Sequence, residues 1–279
     1  MEVMGCLESV EFKLSSKFYA AWVWDSQSIF EPALNLQEVD MVGLWARDLL
    51  CGCLTSLSVD GKLGLVDAMS LLRDGHQFHE LAMLGGLLED TEQLHHLQLD
   101  VLVHPALRVL QIHKPAILKF FCVPSLIELE IVQCILWDPY TNEFATIATF
   151  LSHSPALQII TMTVDWFDLG HITDDVTSQM PQLQCLRLKV RCDDGPEDAS
   201  CIFVDLTLDV LPKLVELAID GNITLRAEKL AVMLNHRSMI GPGLQHVSLR
   251  CTSFLASDIE CEVLQQMIED GLELDINGK

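Results

Sequence analysis

Residues 123–134 read VPSLIELEIVQC, and residues 211–222 read LPKLVELAIDGN. Each stretch has a leucine, two further residues, an aliphatic residue, one residue and another aliphatic residue, as in Leu126, Leu129 and Ile131. Alternate side chains of a β-strand point to the same face, so the second and third of these apolar residues should pack inward together. The phrase therefore predicts a short strand that buries one of its two faces.

The phrase recurs along the whole chain of 279 residues. Its first positions are residues 7, 36, 54, 94, 107, 126, 157, 183, 214, 244 and 271. The spacing averages about 26 residues, which lies within the period of leucine-rich repeats. Pro105, Pro124, Pro155, Pro181 and Pro212 each stand two residues before the leading leucine of a copy. We expect a single irregular leucine-rich-repeat domain over residues 1–279, with about ten to eleven repeats.

Between the strands, the apolar spacing changes to that of helices. The predicted helical faces are Phe144/Ile147/Ala148/Leu151 and Ala227/Leu230/Ala231/Leu234, and Ser257 with Glu260 forms a capping box. The shortest intervals should hold only loops or 3₁₀ turns. Strand, turn and helix in this order predict an α/β leucine-rich-repeat solenoid, a horseshoe with a parallel β-sheet on its concave face and helices or loops on its convex face. Asn222 and Cys134 should stand where a strand ends, with their polar groups capping neighbouring backbone.

The charge balance excludes several classes of partner. The chain has 17 Lys+Arg and 40 Asp+Glu, a formal net charge of −23. Such a chain repels phosphate backbones and anionic lipid, so we expect neither nucleic acid nor membrane as a partner. The acidic first residues do not resemble a signal peptide, which favours a cytoplasmic or nuclear protein.

The residues that could carry chemistry do not form a recognisable motif. His76, His79 and Glu80 lack the second histidine of a zinc helix, because residue 83 is Met. The acidic group Asp193, Asp194, Glu197 and Asp198 indicates a solvated loop. Most of the ten cysteines are expected to be buried packing residues. We therefore predict no enzyme activity, no metal site and no cofactor.

The residues that alternate with the buried ones should face outward from the concave sheet. They are strongly acidic, with a few basic residues towards the C-terminal third. The predicted partner-binding residues are Glu38, Asp40, Asp60, Asp100, Glu128, Glu130, Arg187, Lys189, Glu216, Asp220 and Arg250. A field of this kind favours a basic or mixed-charge protein partner, although the pattern could also simply mirror the acidity of the whole chain.

The aromatic residues near the N-terminus allow two interpretations. Trp22, Trp24 and Trp45, with Phe18, Tyr19 and Phe30, could pack the core of an irregular first repeat. Alternatively, they could form an exposed apolar patch, which would mark an interaction site.

Several segments resemble the C-terminal leucine-rich region of the F-box proteins of mushroom-forming fungi. They are EPALNLQEVDMVG, CLTSLSVDG, HPALRVLQI, FFCVPSLIELEI, FLSHSPALQIITM, MPQLQCLRL and MIEDGLELDI. The resemblance implies a substrate receptor, whose repeats hold a target while an F-box docks on a ubiquitin-ligase adaptor. No F-box sequence precedes the first repeat here, so such an adaptor is expected as a partner only if an F-box is encoded upstream. The alternative is a truncated or remnant repeat protein with a structural role or no selected partner.

Overall fold

A computed structural model describes residues 8–13, 37–42, 53–61, 63–85, 100–133, 143–165, 169, 179–192, 195–206, 211–240 and 243–277. The chain divides into two compact units, unit 1 (Met1–Val132) and unit 2 (Gln133–Lys279). Each unit contains helices and a parallel β-sheet, so the α/β class is confirmed. The aromatic cluster around Trp22 and Trp45 lies outside the described residues.

Unit 1 is built on short strands separated by turns and helices. Its strands are β1 (Ser9–Lys13), β2 (Glu38–Val42), β3 (Ser56–Asp60), β4 (Glu80–Met83), β5 (Leu102–Val103), β6 (Val109–Ile112), β7 (Phe121–Cys122) and β8 (Glu128–Ile131). The main sheet is parallel in the order β1-β2-β3-β4-β6-β8, and β5 pairs with β7 in a small sheet of their own. Helix α1 spans Leu65–Asp74, and a 3₁₀ helix spans Pro115–Phe120.

Unit 2 repeats this alternation with longer strands. Its strands are β9 (Ile159–Asp165), β10 (Cys185–Arg191), β11 (Glu197–Asp198), β12 (Glu216–Arg226), β13 (His246–Leu255) and β14 (Glu273–Ile276). They are parallel in the order β9-β10-β12-β13-β14, and β11 adds to β12. Its helices are α2 (Glu143–Ser152), α3 (Cys201–Asp205), α4 (Ala227–Ile240) and α5 (Asp258–Glu269).

The aliphatic positions of the repeat phrase form continuous buried rows across each sheet. In unit 1 the register aligns Leu57, Leu81, Leu110 and Leu129, each at most 1 % exposed. In unit 2 it aligns Leu186, Leu217 and Val247, each at most 2 % exposed. Burying one leucine side chain contributes about 1.5–3 kcal/mol. The predicted inward packing of these described copies is confirmed.

The prolines before the leading leucines have a structural role in tight turns. The backbone N–H of Leu126 donates to the carbonyl of Val123 at 3.2 Å, with Pro124 at the second position of the turn. Leu157, Leu183 and Leu214 make the same bond to the residue three before them. Proline suits this position because its φ is already fixed near −65°. In the fifth copy, the ring Nδ1 of His104 accepts the N–H of Leu107 at 3.2 Å instead.

A second recurring feature sets the alignment of neighbouring strands. The carbonyl of the residue before a strand accepts two backbone N–H groups from the start of the next one. The Gln37 carbonyl accepts from Thr55 and Ser56 at 2.8 and 3.1 Å. In unit 2 the Gln184 carbonyl accepts from Val215 and Glu216 at 2.8 and 2.9 Å. This shared-carbonyl pattern fixes the register where each strand begins.

The helix predictions are confirmed where the structure describes them. Helices α2 and α4 contain the two predicted apolar sets, and α5 begins directly after Ser257. The 19-residue interval between Leu107 and Leu126 holds the 3₁₀ helix that its length predicts, but it also holds the two-residue strand β7, which was not predicted. Helices α1 and α3 were not among the predicted elements.

One strand of unit 1 differs from the predicted repeat order. β4 pairs directly with β3 and β6, so the strand before the Leu107 copy is Glu80–Met83. In the copy that contains β4, the fully buried Phe78 takes the position of the leading leucine. The copy at residues 94–99 lies outside the described residues. Asp100, expected on the main sheet, instead lies just before β5 of the two-stranded sheet.

The prediction that the chain turns away at Asn222 is wrong. β12 continues to Arg226, because it goes on pairing with β13 after a register shift between Gly221 and Thr224. Within this bulge the Asn222 Oδ1 accepts a hydrogen bond from the Thr252 hydroxyl at 2.5 Å, so it binds a side chain rather than backbone. Cys134, given the same role, lies outside the described residues.

Two further expectations need correction. Glu197 and Asp198 belong to β11 rather than to a solvated loop, and the Arg226 Nε donates to Asp198 Oδ2 at 2.6 Å. Asp193 and Asp194 lie outside the described residues. Of the described cysteines, Cys185 and Cys251 are buried, but the other five are exposed or half-buried. Most described cysteines therefore do not act as core packing residues.

Candidate interaction surfaces

The open face of unit 1 is the face of β2, β3, β4, β6 and β8 that alternates with the buried rows. Its residues are 38, 40 and 42 of β2, 56, 58 and 60 of β3, 80 and 82 of β4, 109 and 111 of β6, and 128 and 130 of β8. These are acids or uncharged residues, with no lysine or arginine among them. All of them are exposed or half-buried. The predicted residues Glu38, Asp40, Asp60, Glu128 and Glu130 thus share one accessible face of unit 1.

Two hydrogen bonds hold acids of this face in place. The Ser56 hydroxyl donates to Glu80 Oε2 at 3.4 Å, and the Gln111 amide donates to Glu130 Oε2 at 3.0 Å. Both donors are neutral, so the negative charge is not cancelled by these contacts. Glu80 was not among the predicted site residues, because β4 was missed in the sequence.

The open face of unit 2 carries charges of both signs that pair across neighbouring strands. The Arg187 guanidinium contacts Glu216 Oε1 at 3.0 Å, and Arg191 contacts Asp165 at 3.5 Å. The His246 Nδ1 lies 2.7 Å from Glu273 Oε2. The predicted residues Arg187 and Glu216 therefore contact each other rather than stand as separate charges.

The environment of Glu216 favours its ionised form. Partial burial raises the pKa of Glu216, but hydrogen bonds from Arg187 and Cys185 and the charges of Arg187 and His246 outweigh it. The net result is a pKa below the ordinary value for a glutamate. Arg187 and Glu216 thus form a charged pair at neutral pH, with side chains 43 % and 36 % exposed.

The remaining predicted residues of unit 2 lie side by side in one row. The register places Asp220 of β12 between Lys189 of β10 and Arg250 of β13. All three are exposed. A partner here would meet alternating charges, whereas a partner on the open face of unit 1 would meet acids among uncharged side chains.

Sequence reasoning missed a groove on unit 2 between α4, α5 and the segments before β13 and β14. Its volume is about 540 Å³. Leu234, Leu244 and Leu272 contribute buried apolar surface, while Val263 of α5 remains 41 % exposed beside it. The one signal in the sequence is the set of apolar residues that follows the Ser257/Glu260 capping box, which includes Val263 and Met267.

Within the described ranges, no three His, Cys, Asp or Glu side chains are grouped so that they could hold a metal ion. No helix in those ranges has the length and apolar composition needed to cross a membrane. In comparisons with known proteins, the chain matches no family model and no curated sequence.

Proposed function

We propose that this chain is a non-catalytic protein-binding module, and that the open face of unit 1 binds a basic or mixed-charge segment of its partner. The observation that carries the proposal is the composition of that face, where accessible acids are not interrupted by lysine or arginine from β2 to β8. In the register, each acid from β2 to β8 lies opposite an uncharged residue of a neighbouring strand, as Glu38 lies opposite Ser56 and Glu130 opposite Gln111. The acids are therefore spread over the face, and a negative surface of this kind attracts and orients a cationic segment of a partner.

The fold proposed with this function is a leucine-rich-repeat solenoid with its parallel sheet on the concave face. Three repeated features support it within each unit: the buried aliphatic rows, the tight turns before the leading leucines, and the shared-carbonyl pattern. Parallel strands that recur with such local contacts are typical of stacked repeats, in which each unit buries its apolar face on its neighbours.

The resemblance to fungal F-box proteins narrows the proposed role to substrate recognition for a ubiquitin ligase. In such a receptor the repeats would hold the target and take no part in the chemistry. A binding assay between the purified chain and a ligase adaptor tests whether this chain itself docks there. Absence of binding would remove the ligase role for this chain and leave target binding to be tested separately.

The charge of unit 1 can be tested with a double reversal, Glu128→Lys with Glu130→Lys. The control is Glu228→Lys with Glu262→Lys, which makes the same change in net charge at exposed positions of α4 and α5. The probe is a fluorescent lysine-rich peptide, and its affinity is measured by anisotropy at low and at physiological salt.

We expect the Glu128/Glu130 reversal to weaken binding at low salt by about 1–2 kcal/mol relative to the control, which is roughly five- to thirtyfold. The difference should shrink as salt screens exposed charges. Equal affinities for the two double variants would show that the peptide responds to overall charge, and the proposed role of this face would then be wrong.

A further inference from the structure

The end of helix α5 is shaped by a glycine-terminated turn that places two apolar side chains at the groove of unit 2. Gly271 has a φ of 106°, and its N–H donates to the Ile268 carbonyl at 3.0 Å. The Leu272 N–H donates to the Met267 carbonyl at 3.0 Å. These two bonds define a Schellman motif, which usually brings the side chains at the positions of Met267 and Leu272 into contact. Both residues line the groove.

The same helix end breaks the usual charge preference. The C-terminus of a helix carries partial negative charge and favours lysine, arginine or histidine in its last turn. The last turn of α5 has no basic residue, and Glu269 and Asp270 stand there instead. Asp270 lines the groove, and its Oδ1 accepts a bond from the neutral Gln266 amide at 3.3 Å. A cationic side chain of a partner would compensate the negative charge of Asp270 and the partial negative charge at the end of the helix.

The groove is too open for a small molecule to be enclosed, since Val263 is 41 % exposed and Gln266 and Asp270 are also exposed. Small-molecule sites usually bury most of the ligand surface. An apolar floor with a polar, exposed rim is instead typical of a pocket that takes one anchoring side chain of a protein partner.

We propose that the α4–α5 groove binds an aliphatic or aromatic side chain of a partner segment, next to a lysine or arginine that pairs with Asp270. The inference rests on the proposed protein-binding function and adds an apolar anchor to the basic character of the partner. It also accounts for the exposure of Val263, an apolar residue that lines the groove.

The test uses the full chain with labelled methionine methyl groups, observed by NMR. The probes are three five-residue peptides: leucine between two pairs of lysines, serine between two pairs of lysines, and leucine between two pairs of glutamates. Met267 reports on the groove, and Met162, which is 1 % exposed in the core, serves as the internal reference. We expect the lysine–leucine peptide to shift the Met267 signal saturably, at least about fivefold more tightly than the serine peptide.

Two variants separate charge from apolar contact. Asp270→Asn should weaken the lysine–leucine peptide about two- to fivefold. The matched control is Glu269→Gln on the same helix, since Glu269 also accepts a bond from a glutamine four residues earlier, at 3.5 Å, but does not line the groove. Ser238→Phe, at an exposed position of the groove wall, should abolish the Met267 shift by filling the space.

A Met267 signal that does not move with the lysine–leucine peptide, or that moves equally with the serine peptide, overturns the groove proposal. Equal effects of Asp270→Asn and Glu269→Gln overturn the pairing with Asp270. If the peptides bind with a dependence on Glu128 and Glu130 while Met267 stays unchanged, the proposed function stands and the groove inference alone is wrong.

Discussion

β10 and β12 approach each other closely at Gly221, so a side chain at this position should lower the stability of unit 2. A Cβ atom at Gly221 would lie 2.3 Å from the carbonyl oxygen of Val190 and 3.1 Å from its Cβ. Non-bonded carbon atoms make favourable contacts at about 3.5–4.0 Å, so the two backbones would have to separate by roughly an ångström. The obstacle is the backbone of a paired strand, which cannot rotate aside as a side chain could. Gly221→Ala should therefore destabilise unit 2.

The expected cost is about 1–3 kcal/mol, the usual range for added volume in a packed site. Each kcal/mol of lost stability lowers the melting temperature of a domain of this size by about 2–4 °C. The control is Gly243→Ala, whose Cβ would meet its nearest atom, the Ser238 Cα, at an ordinary 3.8 Å. That variant should be neutral or slightly stabilising, because alanine restricts the unfolded chain more than glycine does.

Urea unfolding followed by circular dichroism measures both variants against the natural chain. Hydrogen exchange of the β10 and β12 amides then assigns the effect to unit 2. If Gly221→Ala unfolds within about 0.5 kcal/mol of Gly243→Ala, which is the usual scale of neutral surface changes, the close approach does not constrain the protein and the reasoning fails.

Two other predictions follow from the buried rows and from the charged pair. Leu217→Ala should lower the free energy of unfolding, measured with urea, by about 2–5 kcal/mol, because Leu217 is fully buried. The control Val232→Ala, at a position that is 56 % exposed, should change it little. Similar losses for the two variants would contradict the inward packing. The lowered pKa of Glu216 makes its ionised form a source of stability above the unfolded-state value near 4.5, and this contribution is lost as the pH falls through the lower folded-state pKa. The Glu216→Gln variant should therefore lose less free energy of unfolding than the natural chain when the pH falls from 6 to 3. The control is Glu228→Gln, and if both variants lose free energy of unfolding with the same dependence on pH, this role of the Arg187 contact is refuted.

The sequence predicts the strands wherever the leading leucine and its proline are both present. The copies that begin at Leu126 and Leu214 lie where expected, because the apolar alternation and the turn chemistry act within a dozen residues. β4 was missed because Phe78 replaces the leading leucine and His76 stands where the other copies have the proline. Its place in the sheet depends on pairing with β3 and β6, which no local pattern reveals.

For the surfaces too, the sequence predicts what depends on neighbouring residues and misses what depends on contacts between distant segments. The side on which Glu128 and Glu130 lie follows directly from strand alternation. The contact between Arg187 and Glu216 requires two strands 29 residues apart to pair in one register, so it was not predicted. The groove depends on how α4 and α5 pack at the start of β13 and β14, which the sequence does not specify.

The shared-carbonyl pattern at the start of each strand has a consequence for how such a chain can change. Eight strands of the two main sheets (β2, β3, β4, β6, β8, β10, β12 and β13) are aligned by two bonds to the residue just before the neighbouring strand, so their alignment does not depend on the length of the connecting segment. Insertions between strands can therefore accumulate without shifting inward-facing residues outward, because lengthening a flexible connection costs little. The uneven spacing of the repeats, whose first positions lie 13 to 40 residues apart, agrees with this independence of strand alignment from connection length.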